Sequence, residues 1–370
     1  MEILTRKSVR GLWRLLVIAG SLWTTVTACF ASDIKTDEEV VFFTTNARWE
    51  GQPKSWLVPV HGWVFEREND SMWRSALLDT LIKKLELDAA VAQDTIFRKR
   101  AVMFLVDNER NKALTVRIGA QTFPAALSEA NGHFQLDVRL AASEMNEQAS
   151  DGWLPVSMVM PAGDARSFSG RIQRLGAQGL SVISDIDDTV KVSNVLDKRQ
   201  LLENTFVKPF VAVPGMAQAY QSWAQQGAAF HYVSSSPWQL YPAISTFFAD
   251  SGLPHGSFHM KNFRVKDETF LDLFASPLET KVAIIASLLE QFPSRRFVLV
   301  GDSGEKDPEV YAEVLRRYTG QVEHVFIRNV SKEPAGADRY RSLYKGESQQ
   351  RLTVFTDALE LQKFRVARGK

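Results

Sequence analysis

Three carboxylates stand in four consecutive positions of "SVISDIDDTVKVS" (residues 181–193): Asp185, Asp187 and Asp188 directly follow an apolar run. Like charges this close repel, so something else must compensate them. Two other stretches hold matching chemistry. "YVSSSPW" offers Ser234, Ser235 and Ser236, and "FVLVGDSGEKD" ends a second apolar run in Gly301-Asp302, with Asp307 five residues on. Lys281 follows "SPLE", where Ser276, Pro277 and Glu279 read as an N-cap, a first-turn proline and a capping glutamate. This set suits phosphoryl transfer through an aspartyl phosphate. A carboxylate attacks phosphorus only when both negative partners are screened. Mg²⁺ on oxygen ligands does that, Lys281 adds a cation, and Ser234 can donate to a phosphoryl oxygen. A second acid two residues beyond the nucleophile can move the proton.

These residues need a scaffold that brings them to one edge. From about residue 178 the pattern alternates strictly. "GLSVISDI" is followed by a helix near 214–226, "AAFHYVSS", a helix near 238–251 and a short strand near "GSFHM". Then come helix "PLETKVAIIASLLEQF", strand "RRFVLVGD", helix "DPEVYAEVLRRY", and strands "VEHVFIR" and "LTVFTD". Alternation of this kind predicts an α/β fold, a doubly wound parallel sheet with both faces covered. In such a sheet, function lies at the carboxyl ends of the strands near the switch point. A right-handed crossover puts the start of the Lys281 helix at that same edge.

The motifs also carry a resemblance. D-x-D-x-T, a strand-end serine, a lysine and G-D-x4-D resemble the four-motif pattern of the haloacid dehalogenase superfamily. "SVISDIDDTVKVS", "YVSSSPW" and "RRFVLVGDSGEKDPEVYAE" resemble more narrowly the actin-patch-protein-type phosphatidate phosphatases and their bacterial relatives. Lipins share the first motif but differ in the fourth. The resemblance covers roughly 178–330 and implies a HAD-like catalytic domain. It implies that Asp185 is nucleophile and metal ligand, and that Asp187 is the acid/base with its backbone carbonyl on the metal. It also implies that Ser234 and Lys281 supply the second and third motifs, and that Asp302 is the metal-binding acid of the fourth. The implied reaction is Mg²⁺-dependent hydrolysis of phosphatidate to diacylglycerol.

Local readings qualify individual members. Ser235 competes with Ser234, and Ser236 before Pro237 reads as an N-cap. Asp307 before Pro308 also reads as a cap, with a supporting place at the metal site as the other option. Asp188 either caps the turn or supports the metal site, and Thr189 orders the loop. His231, His255, His259 and His324 lack ligand spacing and read as structural. Lys261 and Arg264 follow a strand end and read as surface cations. The stretch 190–213 is too short for a large cap domain, so the site should be open to a bulky or membrane-presented substrate.

The rest of the 370-residue chain sets the context. With 45% apolar and 24% charged residues and a net charge of +1, it is a globular composition and gives no sign of a nucleic-acid partner. Residues 1–31 read as a secretory signal: Arg6, Lys7, Arg10 and Arg14 precede a short apolar core and small residues. That core is too short for a comfortable membrane span, so no transmembrane helix is expected in the mature protein. Cys29, the only cysteine, lies in "VTACFA"; either it becomes the lipidated first residue or cleavage after Ala31 removes it. Removal of residues 1–28 takes the net charge from +1 to −2. Export to the periplasm, as a soluble or a Cys29-tethered protein, follows from this reading. Residues 33–52 look like a tether or an edge. The region 33–177 is β-rich, with candidate strands "SWLVPVHGWVFE", "ALTVRIG", "GHFQLDVRL", "WLPVSMVM" and "RSFSGRIQRL" and a helical insertion over roughly 72–97. It suggests an immunoglobulin-like β-sandwich, with Trp49, Trp56, Trp63, Trp73 and Trp153 in its core or interface. The catalytic domain would then span 178–366. A lipid phosphate at a membrane surface is the expected substrate. A soluble phosphomonoester, or a non-catalytic envelope lipoprotein whose β-rich part binds a lipid or partner, are the alternatives.

Overall fold

The computed structural model describes residues 32–52, 54–67, 79, 82–83, 90–91, 94–262 and 278–364. The signal segment with Cys29, most of the expected insertion with Trp73, and Arg264, Ser276 and Pro277 lie outside the described residues.

Among the described residues, nine strands make a mixed sheet: β1 Glu38–Phe43, β2 Thr45–Trp49, β3 Ser55–Glu66, β4 Asp107–Asn108, β5 Thr115–Ile118, β6 Gln121–Pro124, β7 His133–Ala141, β8 Trp153–Met158 and β9 Ser169–Leu175. Two short helices belong to it, α1 Thr95–Ala101 and α2 Ala142–Gln148. Its order is β1-β3-β2-β9-β8-β5-β6, with β4 and β7 also pairing with the long β3. The reading of 33–52 as a tether or edge is corrected here, because β2 sits inside the sheet between β3 and β9. The reason is burial: Ala47 packs in the core, and Asn46 reaches His231 Nδ1 at 2.9 Å and Ser257 Oγ at 2.6 Å. Trp63 is buried, whereas Trp56 and Trp153 are half-buried beneath Arg174 and Arg171.

Six parallel strands form the second sheet: β10 Leu180–Ser184, β11 Ala229–Pro237, β12 Ser257–Lys261, β13 Arg296–Asp302, β14 Val322–Arg328 and β15 Leu352–Phe355. Their order is β12-β11-β10-β13-β14-β15. The chain therefore builds outward from β10 in one direction, then returns to build outward in the other. The switch point lies between β10 and β13. Both faces of the central β10 and β13 are covered, which is why these two read as nearly unbroken apolar runs. Leu180, Val182, Val298 and Val300 pack with Tyr220 and Trp223 of α4 (Met216–Gln225) and Ile244 of α5 (Tyr241–Asp250). Ile183, Phe297 and Leu299 face Val282 and Ile285 of α6 (Leu278–Gln291) and Val310 and Val314 of α7 (Asp307–Arg317). Helix α3 (Lys198–Phe206) lies in the connection between β10 and α4.

The two sheets share one core across the boundary expected near residue 177. Phe43 lies 4.1 Å, centroid to centroid, from Trp238, and Phe43, Trp63 and Phe97 belong to the same apolar cluster as Val182 and Trp223.

The six histidines predict an acid limit. Burial pushes every one below its ordinary value, His61 to about 3 and His133, His259 and His324 to about 4. The unfolded chain binds these protons first, so stability is lost as pH falls through about 6.5 and continues to fall until the folded values are reached. His133 alone should cost about 2 kcal/mol at pH 5. Thermal midpoints measured from pH 7.5 to 5 should drop steadily, and an unchanged midpoint would contradict this.

Candidate active site

The carboxyl ends of β10 and β13 meet at the switch point. The backbone N–H of Asp185 donates to Val300 O at 2.9 Å, which seats the first acid against the strand that ends in the other. Asp185 Oδ1 accepts from Lys281 Nζ at 2.8 Å and Oδ2 from Thr189 Oγ1 at 3.2 Å. Lys281 Nζ also donates to Asp307 Oδ1 at 2.5 Å. Asp302 Oδ1 accepts from the Gly304 and Glu305 amides at 2.6 and 3.2 Å, which curls the loop back over the strand end. All five side chains are buried.

Asp185, Asp302 and Asp307 each present a carboxylate oxygen to a common point, these oxygens lying within 4.8 Å of one another. One ammonium serves three carboxylates. Burial, with the neighbouring Asp307 and Asp187 charges against the Lys281 charge, pushes Asp185 up to about 7. Asp302 is held far above the carboxylate range by burial, then by Asp307 and Asp185. Burial acts against Lys281, but Asp185 and Asp307 outweigh it and keep the amine charged. Asp302 Oδ2 is buried without a hydrogen-bond partner. A lone acceptor, oxygen-only donors and surplus negative charge fit a hard divalent cation. Asp185, Asp302 and Asp307 are the side chains that would hold it.

Asp307 was expected to cap a helix. Instead it is the first residue of α7, after Lys306, and turns its carboxylate onto Lys281 and the Asp302 amide. Gly301 makes this possible, because a Cβ there would collide with the Asp307 carboxylate. Gly301→Ala should displace the Asp307 carboxylate from the cluster and weaken its affinity for a divalent cation. Calorimetric titration of both proteins with Mg²⁺ would check this, and equal affinity would contradict it.

Asp187 faces a different set of partners. Its Oδ1 lies 2.6 Å from both Lys191 Nζ and Ser193 Oγ, and its Oδ2 accepts from Ser236 Oγ at 2.9 Å and Ser234 Oγ at 3.4 Å. Burial alone would raise this carboxyl, but the Lys191 charge and these hydrogen bonds hold it below the usual range. Ser236 is corrected from helix cap to partner of Asp187; Pro237 occupies the cap position. Ser234 Oγ also accepts from the Ser236 amide at 3.0 Å.

Asp188 has a definite structural place. It adopts φ +54°, a left-handed conformation that aspartate tolerates better than most side chains, and its carboxylate accepts from the amides of Ser193, Asn194 and Val195. Arg328 Nη1 donates to its carbonyl at 2.6 Å. Asp188 therefore folds the loop that returns Lys191 and Ser193 to Asp187. His231, buried between Asn46, Ser257 and Ser181, is structural, as its spacing implied.

Sequence reasoning missed Lys191, Ser193 and Glu305. Lys191 carried a signal: a lysine between Val190 and Val192 in an apolar run, four residues after an acid, is a buried-pair pattern. Glu305, pushed up to about 8 chiefly by burial, had none.

Fold and geometry define an α/β protein with a lysine-bridged cluster of buried aspartates at the switch point of a parallel sheet. Residues 180–329 match the family model described as the catalytic domain of phosphatidate phosphatase APP1, so the narrower family resemblance seen in the motifs is borne out over that segment. The chain is 31% identical over 178 residues to phosphatidate phosphatase APP1 of Saccharomyces cerevisiae, and 30% identical over 175 residues to an uncharacterized protein of Schizosaccharomyces pombe. These alignments cover 47% and 46% of this chain but only 28% of each relative, so the matched part is about a quarter of those proteins. The matched segment contains Asp185, Asp187, Ser234, Lys281, Asp302 and Asp307. Among the described residues no helix is long and apolar enough to cross a membrane.

Proposed function

We propose that this chain is a Mg²⁺-dependent phosphohydrolase that converts phosphatidate to diacylglycerol through a phosphoryl group carried on Asp185. The observation that carries the reading is the lysine-bridged cluster of Asp185, Asp302 and Asp307, inside the segment that matches the phosphatase family. When bound, a divalent cation supplies the positive charge that lets a carboxylate approach a phosphate ester. Lys281 fixes Asp185 Oδ1 and leaves Oδ2 with only the Thr189 hydroxyl, so Oδ2 is the attacking atom. The Asp185 O–P bond forms as the P–O bond to the glycerol oxygen breaks, and Asp187, ionised by its Lys191 pair, takes the proton carried by the phosphate monoester and passes it to the departing alkoxide. Water then attacks phosphorus, gives its proton to Asp187, and releases inorganic phosphate and the Asp185 carboxylate. Ser236 holds Asp187, and Ser234, whose contact with Asp187 is long at 3.4 Å, can turn its single hydroxyl proton to a phosphoryl oxygen instead.

We read the parallel sheet as a HAD-like doubly wound domain over 178–366 with a small cap at 190–213. The preceding 33–177 is read as a sandwich built on the mixed sheet. The basic, apolar and small-residue order of residues 1–31 supports export, with Cys29 as the lipid tether. A panel of phosphatidate in mixed micelles and soluble phosphate esters, assayed with Mg²⁺ and with EDTA, tests the function. Mg²⁺-dependent release from phosphatidate is expected, and EDTA should abolish it. Failure to hydrolyse any ester with Mg²⁺ would overturn the reading.

A further inference from the structure

The β-rich part reaches into the active-site loop through one buried cation. Arg100, on α1, is 9% exposed and lies 85 residues before Asp185 in the chain. Its Nη1 donates to the carbonyls of Thr205 and Lys208, each at 2.8 Å. These carbonyls close the C-terminal end of α3, where unpaired acceptors and the helix dipole favour a cation. The guanidinium carbon also lies 3.6 Å from the centroid of the Phe210 ring. Lys191 Nζ stands 5.0 Å from that same ring, and the same ammonium pairs with Asp187. Residues 211–213 are laddered to 190–192: the Val192 amide donates to Val211 O at 2.8 Å and the Val213 amide to Val190 O at 2.9 Å.

We infer that Arg100 is a positioning residue for Asp187, acting through the Phe210 ring and Lys191, so that the β-rich part completes the catalytic unit. The inference rests on the role proposed for Asp187. Arginine suits the place because a planar guanidinium can donate within its plane while its face lies on an aromatic ring; an ammonium cannot do both with one group. Arg100 fixes the carbonyls on one side of Phe210, and the 211–213 ladder fixes the other. The ring then bounds the space in which the Lys191 ammonium can sit. Loss of Arg100 frees the 205–210 segment, and the Lys191–Asp187 pair loses its outer wall.

The test compares Arg100→Met, Arg100→Lys and Phe210→Leu in the full chain, with folding checked by thermal melts. With a soluble phosphate ester and Mg²⁺, Arg100→Met should lower kcat by about tenfold or more with KM within about threefold. Arg100→Lys should recover part of the loss. Phe210→Leu should reproduce the kcat effect, and the double variant should be no worse than the single ones, because both act on one link. Hydrogen exchange at the Val192 and Val213 amides should accelerate in Arg100→Met. Folded variants with wild-type kcat, or single effects that multiply in the double, would overturn the inference. If Arg100→Met does not fold, Phe210→Leu, which removes no charge, decides by the same readouts. If the wild type hydrolyses no ester, the proposed function falls instead. The exchange rates at Val192 and Val213 then still decide the positioning claim, and unchanged protection would refute it.

Discussion

Asp185→Asn should abolish turnover while leaving the protein at least as stable as the wild type without metal. The amide can still accept from Lys281 through its oxygen, so the packing at the end of β10 survives. What disappears is an anionic oxygen able to form a bond to phosphorus, together with one negative charge from a cluster of three. Loss of a nucleophile costs at least about a thousandfold in rate. Loss of the charge relieves the repulsion that holds Asp185 near 7 and Asp302 well above the carboxylate range. The thermal midpoint in EDTA should therefore be equal or higher, and Mg²⁺ should raise it less than in the wild type, because a ligand is gone. Residual activity within tenfold of wild type would exclude Asp185 as the nucleophile.

Lys281→Met should have the opposite signature, with large losses in both stability and rate. The lysine is buried and bridges Asp185 and Asp307 at 2.8 and 2.5 Å. Removing one partner of a buried ion pair typically costs about 3–5 kcal/mol, since the remaining charges stay in a low-dielectric site. The pH dependence has a definite sign. Without the ammonium, which lowers the Asp185 carboxyl, Asp185 binds a proton more readily in the folded state, so the penalty is largest above neutrality and shrinks as pH falls. The gap in thermal midpoint between variant and wild type should narrow from pH 8 to 6, and Mg²⁺ should close part of it at pH 8. A gap that widens on acidification would contradict the charge cluster as the source of the effect.

The parallel sheet and the first and fourth motifs were legible because each is written locally. Asp185 and Asp302 end apolar runs, and alternating strands and helices bring such ends to one edge. Residues whose partners are remote in sequence were misread. Asp307 precedes a proline and Ser236 precedes Pro237, local signals for a helix start, but their side chains answer to Lys281 and Asp187, 26 and 49 residues away. Thr45–Trp49 lacks clean alternation because Asn46 is buried against His231 of the other sheet, so a central strand looked like a tether. Asp188 remained unassigned because its work is a loop closure: its carboxylate takes three amides that only the folded turn presents. Arg100 gave no sign at all, since both its acceptors lie more than a hundred residues on.

The most direct test of the central claim is acid-quenched single turnover with phosphatidate and Mg²⁺, followed by peptide mass analysis. The account predicts a transient phosphoryl adduct on the peptide containing Asp185, absent from Asp185→Asn and from samples in EDTA. Release of inorganic phosphate at the wild-type rate with no adduct on that peptide, and with Asp185→Asn still active, would contradict it.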